Sequence, residues 1–273
     1  MGFKYCLNTS TIRNENTSVM DAIDIAADAG YDGIEPWVKE IDEWVDGGGS
    51  LSELRDKAAG RNLQIVNLIA FFEWSVPEDD QRSEGLIEAR RCFEMADALD
   101  CTFVAAPPFG IQNREVELFP VAQRYAELLD AVAGFQAKPL LEFWGIAKTL
   151  GTLGETLLVA AECGHSDTLL LADVFHMYKG SGHFHGLEHL GPGKLGLVHV
   201  NDFPEHPGRD TVTDADRVYP GDGLAPWSEI VAGLNNAGYE GMLSLELFNP
   251  SYWEKGSAAV AEEGLAKLKA CVE

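Results

Sequence analysis

Eight short apolar runs alternate with segments of helical spacing along the whole chain, and this alternation limits the fold more than any other feature. The runs fall at residues 3–7, 33–35, 63–69, 102–106, 138–142, 168–173, 195–200 and 242–247. Most are continuous in Val, Ile and Leu instead of alternating with polar residues. A strand of that kind is buried on both faces, as in a parallel sheet covered by helices. Between the runs, Ser50 with Glu53 and Thr152 with Glu155 have capping-box spacing, in which side chains satisfy the free N–H groups of a first helical turn. Leu86, Ala89, Phe93 and Ala96 share one helical face, and Val121, Tyr125, Leu128 and Val132 another. Pro120 suits a first helical position, and Gly30, Gly60, Gly134, Gly164 and Gly238 fall just past helix ends.

Eight strand–helix units in 273 residues predict an α/β fold, a single (β/α)8 TIM barrel spanning residues 1–273. An open doubly wound sheet is the alternative, but the phosphate-binding glycine fingerprint is missing after the first run. A weak repeat agrees with the barrel: Ala29-Gly-Tyr-Asp-Gly33 and Ala237-Gly-Tyr-Glu-Gly241 both sit at a helix-to-strand handover. Gly47-Gly-Gly-Ser50 reads as a short loop before a helix, and no composition shift marks a second domain.

Charge removes whole classes of function. Lys and Arg total 20 against 44 Asp and Glu, a formal net charge of −24. That balance opposes binding to nucleic acid or an anionic membrane, both polyanionic. No apolar run approaches the roughly 18 residues of a membrane span. The N-terminal residues do not read as a secretory signal, and Cys6 stands where a myristoylation motif needs Ser or Thr. The five cysteines, Cys6, Cys92, Cys101, Cys163 and Cys271, include no C-x-x-C pair and predict a reducing, cytoplasmic setting without disulfides. A small-molecule substrate is the expected partner, and a homo-oligomer is compatible with the same reading.

Active sites of such barrels lie at the C-terminal ends of the strands. The fifth run ends on Glu142, the sixth on Asp173, the seventh carries His199 and the eighth Glu246. Strand alternation puts each of these on the same face as the residue two before it, Leu140, Leu171, Leu197 and Ser244. If that face is the inner one, the four groups converge above the barrel axis. Three carboxylates crowded there repel one another unless a cation sits between them. Three oxygen donors and one imidazole favour Mn²⁺ or Mg²⁺, with Co²⁺ and Zn²⁺ also acceptable. Glu35 and Asn67 also stand near strand ends, and Phe71, Phe72, Trp74 and Trp144 are candidates for walling the pocket.

Five motifs carry a resemblance: Leu141-Glu142-Phe143, Asp173-Val-Phe-His176, His199-Val-Asn-Asp202, Asp216-Arg217-Val-Tyr-Pro-Gly221-Asp-Gly223 and Ser244-Leu-Glu246-Leu-Phe248-Asn-Pro250. In these the chain resembles the xylose-isomerase-like barrels of sugar isomerases and epimerases, and within them the 2-keto-myo-inositol (inosose) isomerases, over nearly its whole length. The resemblance implies one divalent ion on Glu142, Asp173, His199 and Glu246, and contacts from His176 and Arg217 to substrate oxygens. It implies isomerisation or epimerisation of a small keto-sugar or keto-cyclitol through an enediolate, one of Glu142 and Glu246 removing a proton and the other returning one. The chain departs from that pattern at Trp144, after Leu-Glu-Phe, and at Met177-Tyr178-Lys179, after His176. With Asn67 and Phe72, Trp144 is therefore expected among the substrate-binding residues.

Three rival classes remain to be separated. A dehydratase or lyase would share the enediolate but expel a β-hydroxyl. A DNA-repair barrel with three metals would need more histidines and a basic surface, against a charge of −24. A sugar-binding barrel without catalysis would have no use for both glutamates. His185-Gly-Leu-Glu188-His189 matches an inverted zinc-protease signature, but the glycines at 182, 186 and 191 weaken a helix there. Its place in a strand-to-helix connection provides no cleft, so these histidines read as facing solvent.

Overall fold

The computed structural model describes residues 2–14 and 17–273. The apolar runs become the parallel strands β1 (Lys4–Asn8), β2 (Gly33–Glu35), β3 (Gln64–Ile65), β4 (Asn67–Leu68), β5 (Phe103–Ala106), β6 (Lys138–Glu142), β7 (Leu169–Asp173), β8 (Leu195–Val200) and β9 (Met242–Leu245). They pair in the order β3-β2-β1-β9-β8-β7-β6-β5-β4. β3 and β4 are two pieces of one stave, interrupted at Val66. The Val66 N–H donates to the Ile34 carbonyl at 2.9 Å, and its own carbonyl accepts from the Phe103 N–H at 3.0 Å. One residue thus joins both ends of the sheet into an eight-stave barrel, and closure leaves no edge strand among the described residues.

Helices cover the outside: α1 (Val19–Ala29), α2 (Val38–Asp46), α3 (Leu51–Gly60), α4 (Asp79–Ala98), α5 (Leu118–Val132), α6 (Leu153–Glu162), α7 (Val174–Gly180), α8 (Trp227–Asn236), α9 (Pro250–Trp253) and α10 (Ser257–Val272). The capping boxes at Ser50 and Thr152 form as expected, joined by one at Ser18 with Asp21. Pro120 is the third residue of α5, not the first, still within the turn whose N–H groups have no helical acceptor. Gly30 closes α1 at φ 92°, whereas Gly60 is the last residue of α3 and the left-handed position falls to Asn62. The 185–189 segment is a short 3-10 helix, and the His183 and His185 rings stack at 3.7 Å.

Two apolar layers result. The larger lies between staves and helices. The smaller fills the barrel interior with Cys6, Val66, Ile69, Ala105, Leu140, Leu171, Leu197 and Met242. Leu140, Leu171 and Leu197 face inward, so the residues two further along, Glu142, Asp173 and His199, point inward at the mouth. All five cysteines are free. Among the described residues no helix is long and apolar enough to cross a membrane.

The long connection after β8 folds back over the mouth because of Asp202. This buried carboxylate accepts from the backbone N–H groups of Phe203 and Ala225, both at 2.8 Å, from that of Gly221 at 2.9 Å, and from the Trp227 indole N–H at 3.0 Å. A Cβ on Gly223 would meet the Asp202 carboxylate at 2.3 Å, so only glycine allows this approach. From below, the Lys179 ammonium of α7 donates to the carbonyls of Arg209, Asp210 and Val212 at 2.8, 3.0 and 3.0 Å. Between these two fastenings the chain carries Asp214 and Arg217 into the barrel mouth.

Candidate metal centre and cavity

Asp173, His199 and Glu246, from the ends of β7, β8 and β9, form a buried group whose ligand atoms all lie within 4.8 Å of one another. The His199 ring has its Nε2 2.8 Å from Glu35 Oε1. Its Nδ1 lies 3.3 Å from Glu246 Oε2 and 3.8 Å from Asp173 Oδ2 and has no hydrogen-bond partner. A ring nitrogen left without a partner in a buried site, facing two carboxylate oxygens, fits a divalent cation, which His199, Asp173 and Glu246 would hold. A carboxylate on the opposite ring nitrogen is the usual support for such a histidine.

Arg217 supplies positive charge in the same place. Its Nη1 donates to Asp173 Oδ2 at 2.9 Å and to Glu246 Oε2 at 2.8 Å, while Nε and Nη2 donate to Asp214 Oδ1 at 3.0 and 2.6 Å. The guanidinium is buried and lies over the rings of Phe175 and Phe248, at 4.5 and 5.2 Å from their centroids. Burial opposes charge on Asp173, but Arg217, His176 and His199 outweigh it and hold that carboxyl well below the usual range. His199 is moved the other way. Burial disfavours its protonation, and Glu246 and Glu35 overcome that to raise it well above the usual imidazole value. Both directions show a cluster of acids drawing in positive charge.

Glu142, at the end of β6, lies outside the group of three but lines the same cavity as Glu246. Burial pushes its carboxyl up to about 8, with Glu246, Asp173 and Glu35 adding to the rise. The cavity encloses about 410 Å³. His176, on the first turn of α7, and Arg217 both line it, and His176 Nε2 lies 3.5 Å from Arg217 Nη2. Burial lowers the basicity of the His176 ring.

Of the remaining sequence candidates, Trp144 lines the cavity. Phe72 is 2% exposed and sits in the core, its neighbour Phe71 taking the wall position at 37% exposure. Successive residues leaving a strand point to opposite sides, so a shift of one exchanges core for cavity. Trp74 is also a core residue, its indole N–H donating to the Pro107 carbonyl at 2.8 Å. Asn67 is buried one layer below, donating to Glu35 Oε1 at 2.6 Å. Glu35 has the largest supporting role: besides His199 and Asn67 it accepts from Asn8 at 3.2 Å and Ser244 at 2.6 Å. Asn8 donates also to Glu246 Oε1 at 3.0 Å and accepts from the Trp37 indole N–H at 3.1 Å. Asn8, Trp37 and Asp214 are positions of the candidate site that the strand-end reading passed over. Asn8 ends β1 on the inward face just as Glu142 ends β6, so the same rule applied to amides would have found it.

A sequence model of the family described as xylose isomerase-like TIM barrel matches residues 23–271. An inosose isomerase of Halalkalibacterium halodurans is 26% identical over 97% of this chain and 94% of its own length. A 3-dehydroshikimate dehydratase of Pseudomonas aeruginosa is 25% identical over 91% of this chain, which spans 39% of that longer protein. Among solved structures, the IolI protein, described with a bound zinc atom, superposes with a TM-score of 0.91 at 22% identity, covering 99% of this chain and 98% of that one.

Proposed function

The chain belongs to the xylose isomerase-like TIM barrel family, and on that premise we propose that it is a divalent-metal-dependent isomerase or epimerase of a small ketol, a keto-sugar or keto-cyclitol. The observation that carries the reading is the buried group Asp173, His199 and Glu246, of which Glu246 lines a cavity together with Glu142. Those three residues would hold the ion, and Glu142, expected from the sequence as a fourth ligand, is assigned to proton transfer instead because it lies outside the group of three. The ion supplies, when bound, positive charge against the oxygens of the reacting ketol. Hard oxygen donors favour Mn²⁺, while the zinc in the IolI structure makes Zn²⁺ the first alternative.

The side chains of this chain divide the proton transfer. Glu246 accepts hydrogen bonds from Arg217 and Asn8, which orient its carboxylate, and we assign it as the base. Glu142, its carboxyl pushed up by burial, is the group that returns a proton to the neighbouring carbon. Two carboxyl groups in unlike surroundings are what acid and base roles on one site require. Arg217 and His176 provide hydrogen-bond donors for the oxygens of a flat enediolate, and Asp214 fixes the guanidinium. Asp202 and Lys179 keep in place the overlying connection that carries Asp214 and Arg217.

The test is exchange of the substrate α-proton with D₂O, followed by NMR on keto-inositols, ketohexoses and ketopentoses with and without added Mn²⁺ or Zn²⁺. Metal-dependent exchange is expected, and Glu246→Gln should lower it by about 10²–10⁴-fold. Undiminished exchange in that variant would remove Glu246 from the reaction. The similarity to a 3-dehydroshikimate dehydratase keeps one second reading in view, β-elimination from the same enediolate. A product that has lost water would identify it.

A further inference from the structure

The polar and apolar residues of the cavity are segregated. Glu142, His176, Asp214, Arg217 and Glu246 meet at one end. The remainder is walled by Trp37, Ile69, Phe71, Trp144, Ile146 and Phe248, with small apolar residues between them. These side chains come from four connections, those after β2, β4, β6 and β9, so they surround the space instead of forming a platform on one side. The rings touch in sequence: Trp37 to Phe71 at 5.4 Å, Phe71 to Trp144 at 6.0 Å, and Trp37 to Phe248 at 5.9 Å between centroids. No Ser, Thr, Asn, Gln, Tyr or Lys lines the cavity among the described residues. Uncharged side-chain polarity in the wall is confined to two indole N–H groups, and that of Trp37 is already committed to Asn8.

A fully hydroxylated ring could lay one C–H face on an aromatic side chain. Its rim of hydroxyls would still need partners, and here the rim also meets rings and isoleucines. An unpartnered hydroxyl taken from water is disfavoured by roughly tenfold in affinity, whereas a methylene in the same place is favoured. We propose that the substrate is oxygenated on one edge only: a cyclic or deoxygenated ketol whose carbons distal to the reacting C–O pair carry hydrogen or alkyl groups, seated against Trp37, Phe71, Trp144 and Phe248. This sets aside keto-sugars and keto-cyclitols, whose distal carbons carry hydroxyls, keeps only the ketol of the reading above, and rests on that reading for the orientation of the reactive edge.

The experiment compares two ligands with the same six-membered ring and the same ketol, 2-hydroxycyclohexanone and 2-keto-myo-inositol, which differ in their distal hydroxyls. Binding to the Mn²⁺- or Zn²⁺-supplemented protein is measured by calorimetry, and α-proton exchange in D₂O is followed in parallel. The deoxygenated ligand should bind at least tenfold tighter. Phe71→Asn, at the partly exposed rim, should narrow that ratio by introducing a hydrogen-bonding partner, and a folded variant is verified by its circular dichroism. Equal or tighter binding of 2-keto-myo-inositol, or no binding of either ligand, overturns the proposal. Binding with the expected preference but without exchange of either ligand would instead overturn the ketol-enolisation reading and leave the one-edged ligand class standing.

Discussion

The two halves of the barrel end in different chemistry. The staves β6 to β9 finish in or lead to Glu142, Asp173, His199 and Glu246, of which Glu142 and Glu246 line the cavity. The staves β1 to β4 carry Asn8, Glu35 and Asn67 near their ends, whose side chains hydrogen-bond Glu246, His199 and one another. The connections of that first half then supply Trp37, Ile69 and Phe71 to the apolar wall. A histidine that must offer one lone pair in one direction needs its other nitrogen tied down, and in a closed barrel the tie comes from the opposite side of the ring. Half of the candidate site is thus a supporting frame that acts through the hydrogen bonds of Asn8, Glu35 and Asn67.

Substitutions in each half should separate these roles, beginning with the strongest. His199→Ala removes the sole nitrogen donor of the group of three, and affinity for Mn²⁺ or Zn²⁺ should fall by more than about 10²-fold by calorimetry or elemental analysis. Full occupancy in that variant would take His199 out of the ligand set. Glu35→Gln touches no cavity atom, yet should weaken the same metal binding by about 10–100-fold, because an amide cannot accept from all four donors that surround Glu35. Unaltered affinity there would break the comparison, since the frame would then not act on the ligands. Asn67→Ala removes one of those donors and should lower unfolding free energy by about 1 kcal/mol in urea titration, with metal affinity changed only a few-fold. Trp37→Phe keeps the ring in the wall and loses only the indole N–H bond to Asn8. A stability change of about 0.5 kcal/mol is expected, with ligand binding retained.

Legibility in the sequence followed the same division. The eight staves were readable because strands buried on both faces are continuous in Val, Ile and Leu, and the charged residues ending the last four stood out against them. The inward direction of Glu142, Asp173 and His199 followed from Leu140, Leu171 and Leu197 two residues earlier, and the structure places those leucines inside the barrel. The frame was harder to read, because its meaning lies in partners far away along the chain. Glu35 and His199 are 164 residues apart, and nothing local to Glu35 announces an imidazole. Wall positions were hardest of all: Phe71 and Phe72 are equivalent in composition and differ only in which side of a departing chain they face. Asp214 gave no signal, because its position depends on how Asp202 and Lys179 fold the connection after β8.

The bond pattern of Arg217 bears on how the proposed ion would be bound. Its guanidinium bridges Asp173 and Glu246, two of the three groups that would ligate the ion. An arriving ion therefore meets a resident, covalently tethered cation, and occupancy becomes an exchange between two positive species instead of the filling of a vacant, repulsive hole. The affinity should accordingly be weaker than three such donors would give alone. The stripped protein should in return stay folded, ready for reloading, when a chelator takes the metal away.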